Sequence, residues 1–150
     1  MQLTRQADYA LRAIDLLSRS SDGRPQSINQ IAEQGAIPRE FLAKILKRLT
    51  EEGFLLSKLG VTGGYVLARR PKEISYRAVI EALEGPIHLS LCTESPKRDC
   101  PAHDPGGLHD FWVKLEARFL IVLNRKHFRS RPLAPKARQR DTARRRWQPS

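Results

Sequence analysis

Apolar residues recur at three- and four-residue spacing in five stretches of the chain, which predicts a mainly α-helical protein. The first stretch runs from Leu3 to about Ser20, with Thr4 as its N-cap. A later short stretch begins at Ser75 and is expected to end at Gly85. The positions between these two stretches carry the most informative pattern.

Two helices separated by a tight turn are predicted there. Ser27 and Gln30 form a capping-box pair, and Gly35 is expected to stop this short helix. The next helix begins at Pro38 and ends at Gly53. Its predicted inward face consists of Phe41, Leu42, Ile45, Leu46 and Leu49, and its outward side of Arg39, Glu40, Ala43, Lys44, Lys47 and Arg48. This order is typical of a helix-turn-helix, although a helical hairpin with a solvated basic face has the same pattern.

A glycine-rich hairpin is predicted directly after the second helix. Apolar runs at 54–58 and 65–67 bracket Gly60, Val61, Thr62, Gly63 and Gly64. Small residues at the tip would let backbone N–H groups approach a phosphate, whereas a plain connecting hairpin would need the glycines only for its turn. The interpretation is a winged helix-turn-helix whose candidate DNA-contacting residues are Ser27, Arg39, Glu40, Lys44, Lys47, Arg48, Lys58, Thr62, Gly63, Gly64 and Tyr65.

The second half of the chain divides into three further segments. Residues 86–107 hold both cysteines and four of the ten prolines, so they are predicted to be a loop after the DNA-binding domain at 1–85. Residues 108–124 form a long helix whose apolar stripe exceeds what one small subunit needs, which predicts dimerisation; burial within one subunit is the alternative. Residues 125–150 are basic and rich in proline, and are predicted to be a disordered tail.

The net charge of +11 favours a nucleic-acid partner, but its distribution weakens that inference for the folded part. Residues 1–80 carry 13 basic and 8 acidic residues, residues 81–124 carry 4 and 7, and residues 125–150 carry 10 and 1. Most of the excess therefore belongs to the tail. The net charge agrees with a DNA-binding function, but the main evidence for that function is the order of the helices and the hairpin.

Several functional classes are disfavoured by what the sequence lacks. No apolar run is long enough to span a membrane and no secretory signal begins the chain, so a cytoplasmic protein with no membrane partner is expected. Two cysteines are too few for a disulfide framework. The chain has no phosphate-binding glycine loop, nucleophile elbow or His-Glu zinc helix, so an enzyme is not expected.

The order of these elements resembles the Rrf-type transcription regulators, the family of IscR, NsrR and CymR. The resemblance is carried by QLTRQADYALRA at the start, GGY at the end of the wing, ISYRAVIEALEGPI after it, and a cysteine-bearing loop before a tryptophan-containing helix. It implies a homodimer joined by the long helix, a partly palindromic double-stranded DNA operator, and usually repression. It also implies that the loop can hold an iron–sulfur cluster, whose state sets DNA affinity in several members.

The cysteine pattern departs from the cluster-binding members. Seven residues separate Cys92 from Cys100, and Gly106 stands where a third cysteine would fall. The resemblance implies His109 as a further ligand and Asp8, supplied across the dimer, as another, which together would complete a two-iron cluster. Three alternatives remain: this cluster, a regulator without a cluster, or a site that is either a redox disulfide or zinc. The zinc site could use Cys92, Cys100, His103 and His109.

The wing departs from the family pattern as well. Many members have an arginine before the wing glycine, placed to enter the minor groove, whereas this chain has Leu59 there and Thr62 in place of another glycine. Lys58 or the basic tail would have to supply that contact.

Overall fold

The computed structural model describes residues 3–20, 23–94 and 107–129. Six helices, one hairpin and a single 3-10 turn occur within these ranges, which confirms the predicted mainly α fold with a small β-hairpin. Along the chain they are α1 (Arg5–Arg19), α2 (Ile28–Gly35), α3 (Arg39–Glu51), β1 (Leu55–Lys58), β2 (Gly64–Leu67), the 3-10 turn (Pro71–Glu73), α4 (Tyr76–Glu84), α5 (Leu91–Glu94) and α6 (Leu108–Arg125).

Helix α1 lies at the centre of the core and packs against α2, α3 and α4. Its start follows from Thr4, whose side-chain oxygen accepts a hydrogen bond from the N–H of Ala7 at 3.2 Å. Ala7, Ala10 and Ala13 are fully buried, and their small side chains let the neighbouring helices approach closely. The predicted first helix and its cap are confirmed.

Helix α2 begins with the predicted capping box but ends differently from the prediction. The N–H of Gln30 donates to the Ser27 hydroxyl at 3.3 Å, and the N–H of Ser27 donates to the Gln30 side chain at 2.8 Å. Gly35 is the last helical residue, and Ala36 adopts the left-handed conformation at φ 50°. A Cβ at Gly35 would lie 2.9 Å from Cδ1 of Ile37, so the end of that side chain would have to shift.

Helix α3 presents a narrower apolar side to the core than predicted. Leu42, Leu46 and Leu49 are fully buried, as their spacing predicts. The assignment of Phe41 to this face is wrong, because its side chain is 58% exposed. One residue step turns a helix by about 100°, so Phe41 lies beside the buried row that begins at Leu42.

The predicted wing is an antiparallel hairpin with a third segment beside it. Leu55 pairs with Leu67 at its base, and Lys58 pairs with Gly64 next to the tip. Gln26, just before α2, forms a bridge with Tyr65: each N–H donates to the other carbonyl, at 3.0 and 2.8 Å. The wing is therefore attached to the beginning of the helix-turn-helix.

The segment after α6 differs from the predicted tail, which was expected to begin at about residue 125. The N–H of Tyr76 donates to the carbonyl of Lys126 at 2.9 Å, and the N–H of Phe128 donates to the carbonyl of Ile74 at 3.3 Å. Phe128 is 2% exposed and its ring stacks on Tyr76 at 4.7 Å between centroids. One aromatic side chain in the core therefore orders the first residues of this basic segment.

The predicted loop at 86–107 contains helix α5, which packs against α6. Residues 95–106, and with them Cys100 and His103, lie outside the described residues, as does the predicted tail from residue 130 onward. Within the described part of the chain, no helix has the length and apolar character needed to cross a membrane.

Candidate nucleic-acid interface

Helix α3 has one fully buried side and one polar side that is open to solvent. Four cations and two carboxylates occur in its sequence REFLAKILKRLTE. Five of the predicted DNA-contacting residues lie on it and are all exposed: Arg39, Glu40, Lys44, Lys47 and Arg48. Burial of the leucines on the opposite side fixes the direction in which this polar side points.

Two of these arginines are held by hydrogen bonds within the protein. Nε of Arg39 donates to Oδ1 of Asn29 on α2 at 2.9 Å, which joins the two helices of the motif across their turn. Nε of Arg48 donates to the carbonyl of Ala82 at 3.1 Å, and its Nη2 lies 2.9 Å from Glu52. The orientations of both guanidinium groups are therefore set before any partner binds.

The two lysines of α3 are less constrained. Nζ of Lys47 lies 4.0 Å from Oε1 of Glu51, one helical turn away, and this exposed pair contributes little energy. Lys44 has no ion pair with any residue that the structure describes. Its ammonium group is the cation of α3 most available to a phosphate or a base.

The wing tip is mostly apolar at its most exposed positions. Leu59 and Val61 are essentially fully exposed, while Lys58 and Thr62 beside them are exposed polar residues. Gly63 is required by the turn, because a Cβ there would lie 2.3 Å from the carbonyl oxygen of Lys58. The tip presents one cation, and its remaining exposed surface is a leucine, a valine and a threonine.

The base of the wing has a structural role that the sequence analysis did not assign. Gly64 has φ 151°, and a Cβ there would lie 2.4 Å from the carbonyl oxygen of Gln26 and 2.9 Å from the nitrogen of Ser27. Gly64 and Tyr65 therefore hold the wing against the start of α2. Gln26 and Asn29 were not predicted as site residues, and their only sequence signal is their position next to the Ser27 cap.

The described residues hold only part of the predicted metal-ligand set. Cys92 on α5 is 9% exposed and His109 on α6 is 4% exposed, on two helices that pack together. Asp8 lies on the exposed side of α1 and pairs with Arg12 at 2.7 Å. Among the described residues, no group of three or more His, Cys, Asp or Glu side chains is close enough to hold a metal ion. Thiolate and imidazole suit mixed iron–sulfur ligation, so the donors of α5 and α6 fit such a group, whereas Asp8 has a competing partner within its own chain.

Glu116 of α6 joins this helix to the segment before α5. Its Oε2 accepts a hydrogen bond from the N–H of Leu89 at 2.8 Å, and its Oε1 lies 3.7 Å from Nδ1 of His88. The sequence analysis did not single out Glu116, because a lone carboxylate on a helix gives no sequence signal of a backbone partner 27 residues away.

Helix α6 leaves a large apolar surface exposed in the single chain. It packs against α4 and α5, yet six of its large apolar side chains are more than a third exposed. They are Leu108, Phe111, Val113, Leu115, Ile121 and Val122.

The sequence matches the Rrf2 family, described as iron-dependent transcriptional regulator, over residues 3–130. The chain belongs to the Rrf2 family. It is 31% identical over 125 residues to the HTH-type transcriptional regulator IscR of Yersinia enterocolitica, covering 83% of this chain and 74% of IscR. It is 29% identical over 125 residues to NsrR of Bacillus subtilis, covering 83% of this chain and 86% of NsrR. The predicted family and its DNA-binding transcriptional regulation are confirmed.

Solved structures of similar proteins confirm the winged-helix fold of this Rrf2 protein. CymR, the global cysteine regulator of B. subtilis, superposes with a TM-score of 0.71 at 24% identity, covering 85% of this chain and 92% of CymR. IscR of T. potens superposes with a TM-score of 0.66 at 23% identity, covering 85% and 82% of the two chains. Rrf2 proteins are transcriptional regulators, a class distinct from enzymes.

Proposed function

We propose that this Rrf2 protein is a dimeric repressor that binds a partly palindromic DNA operator in the cytoplasm through α3 and the wing. The observation that carries the proposal is the polar side of α3, with Arg39, Glu40, Lys44, Lys47 and Arg48 exposed opposite fully buried leucines. A helix of this kind fits the major groove, where basic side chains reach base edges and phosphates. Lys58, Thr62 and Gly63 of the wing would contact the backbone beside it.

The residues at the wing base would act mainly by fixing the position of the wing. The Ser27 hydroxyl accepts the Gln30 N–H, and the backbone of Tyr65 is paired with Gln26. Gly64 closes the hairpin against Ser27. These contacts support a role in fixing the wing relative to α3. This role would be in addition to any contact that Ser27, Gly64 and Tyr65 make with DNA.

Lys44→Ala is expected to weaken operator binding by about 1–3 kcal/mol, because it removes a cation with no described intramolecular ion pair from the centre of the proposed reading surface. The operator is first selected from random duplexes with the full-length protein. Affinity is then measured by fluorescence anisotropy at several salt concentrations. The same titration gives the number of chains bound per duplex, for which we expect two.

Lys72→Ala is the matched control, because Lys72 is an exposed lysine on the 3-10 turn, outside α3 and the wing. It should leave the sequence preference unchanged. Equal losses in the two variants would mean that α3 is not the reading helix, and one chain per duplex would contradict the dimer.

The dimer is supported by the exposed apolar residues of α6. Phe111, Leu115 and Val122 belong to a helix already packed on α4 and α5, so the exposed surface has no described partner within the chain. Contiguous apolar surface of this kind in a soluble protein marks an interaction site. A second α6 would cover it and place two copies of α3 at a fixed distance.

A second proposal concerns sensing through the segment before α6. A two-iron iron–sulfur cluster would be held by Cys92, Cys100, His109 and Asp8, with Asp8 supplied across the dimer. The support is the burial of Cys92 and His109 on packed helices and the relatives IscR and NsrR. When bound, such a group supplies redox-sensitive ligation. The chain itself contributes the Glu116 contact that fixes the segment before Cys92 to α6.

Cys92→Ala and Cys100→Ala are each expected to abolish the visible absorption of anaerobically purified protein and to change its operator affinity. Iron and acid-labile sulfide are assayed on the same samples. Thr93→Ala, which alters α5 next to Cys92 without removing a sulfur, is the control and should keep the absorption. If the unsubstituted protein lacked iron and sulfide, and the cysteine variants bound operator normally, the regulator would be cluster-free; zinc without visible absorption would identify the zinc alternative.

A further inference from the structure

The chain that follows α6 is anchored to the core where the basic segment begins. The N–H of Phe128 donates to the carbonyl of Ile74 at 3.3 Å, and the carbonyl of Lys126 accepts the N–H of Tyr76 at 2.9 Å. The Phe128 side chain is buried in the core. The point at which residues 130–150 leave the described fold is therefore fixed.

This exit point lies at the base of the wing. The carbonyl oxygen of Arg129 is 3.3 Å from Oγ of Ser18, near the end of α1. Ser18 in turn lines the same cleft as residues 66–71, which comprise the end of β2 and the chain that follows it. Residues 130–150 therefore begin beside the strand that leads back from the wing tip.

Residues 130–150 carry a large positive charge. They contain six arginines and one lysine against a single acidic side chain, Asp141. Arg129, just before them, is exposed and has no ion pair with any residue that the structure describes. Asp15, a carboxylate that lines the small cavity beside Arg129, is paired with Arg19 within α1. A polyanion outside the chain is the better partner for these cations.

The segment is long enough to reach DNA that is held by α3 and the wing. Each strand of the wing has four residues and is about 13 Å long. Residues 130–150 can span up to about 70 Å when fully extended. Because the segment is tethered at the base of the wing, its cations act on a bound duplex at a high effective concentration.

We propose that residues 130–150 act as a basic arm that binds phosphates of the same DNA duplex that α3 and the wing hold. Arginine suits this role, because its guanidinium is always charged and can contact two oxygens of one phosphate. Such contacts add affinity and salt dependence but carry no sequence information. The basic arm adds cations to a wing whose most exposed positions are Leu59 and Val61. The inference rests on the proposed operator function.

The test uses the full-length protein with Arg144→Gln, Arg145→Gln and Arg146→Gln combined. Affinity for the selected operator and for a random duplex of the same length is measured by fluorescence anisotropy at several salt concentrations. We expect the slope of log affinity against log salt concentration to fall by about three for each chain bound, one for each arginine. The fall should be the same on both duplexes, because phosphates do not differ between them.

The matched control keeps the composition of the basic arm and changes only its order. A full-length chain with residues 130–150 permuted should retain the slope of the unsubstituted protein, because phosphate contacts depend on charge and not on sequence. The proposal is overturned if the triple variant keeps the original slope, or if its loss is confined to the operator. It is also overturned if the permuted chain loses as much as the triple variant.

Failure of the operator function would look different. The unsubstituted protein would then prefer no selected duplex over the random one, while the triple variant would still lower the slope on the random duplex. Normal operator preference with an unchanged slope would instead contradict the basic arm alone.

Discussion

Phe128→Ala is expected to lower the free energy of unfolding by about 3–5 kcal/mol, as for other fully buried aromatic residues. The side chain is 2% exposed and belongs to the same core cluster as Ile14, Leu46 and Ile74. Its removal also deletes the stacking contact with Tyr76 at 4.7 Å between ring centroids. Urea unfolding of the full-length protein, followed by circular dichroism, measures the change.

Two truncations test the same contact in a different way. A chain ending at Arg129 should unfold at the same urea concentration as the full-length protein. A chain ending at Arg125 should lose about as much stability as Phe128→Ala, because the hydrogen bonds of Lys126 and Phe128 to Tyr76 and Ile74 are also removed. Equal stability of the two truncated chains would show that the segment after α6 does not contribute to the core.

Gly64→Ala is expected to destabilise the protein by about 2–4 kcal/mol and to disrupt the wing. A Cβ at this position would lie 2.4 Å from the carbonyl oxygen of Gln26 and 2.9 Å from the nitrogen of Ser27, and the φ of 151° is unfavourable for any residue with a side chain. The backbone cannot relieve this overlap without separating Gln26 from Tyr65. Unfolding in urea and operator affinity should both be impaired.

Gly23→Ala is the control for backbone conformation alone. Its φ is 62°, and a Cβ there would meet nothing within 4 Å, so we expect a loss of about 1 kcal/mol with normal operator binding. A similar small loss for Gly64→Ala would contradict the close contact between the wing and the start of α2.

Helices α1, α2 and α4 could be predicted because their caps are local. Thr4, Ser27 and Ser75 each accept the backbone hydrogen bond that their sequence position indicates. The order of helix, turn, basic helix and glycine hairpin was enough to predict the winged helix-turn-helix. The exposure of the five predicted site residues on α3 followed from the same periodicity that predicts its buried side.

The remaining features depend on contacts between distant parts of the chain. Phe41 fits the apolar spacing of α3, but no element among the described residues covers it. Phe128 follows a long helix in a basic, proline-rich context, and its burial depends on Tyr76, 52 positions earlier along the chain. Arg69 lies over the Phe54 ring because both residues flank the base of the paired strands, and the sequence pattern predicts the hairpin without defining this contact.

Helix α6 packs against α4 and is held after its end by the stacking of Phe128 on Tyr76, and both contacts lead back to the domain that carries α3. In the proposed dimer the two copies of α3 would therefore keep a fixed distance and orientation relative to each other. Each inserted base pair displaces a half-site by about 3.4 Å and rotates it by about 35° around the duplex axis. A dimer of this rigidity would bind operators with one spacing of half-sites. It would bind more weakly to operators that are longer or shorter by a single base pair.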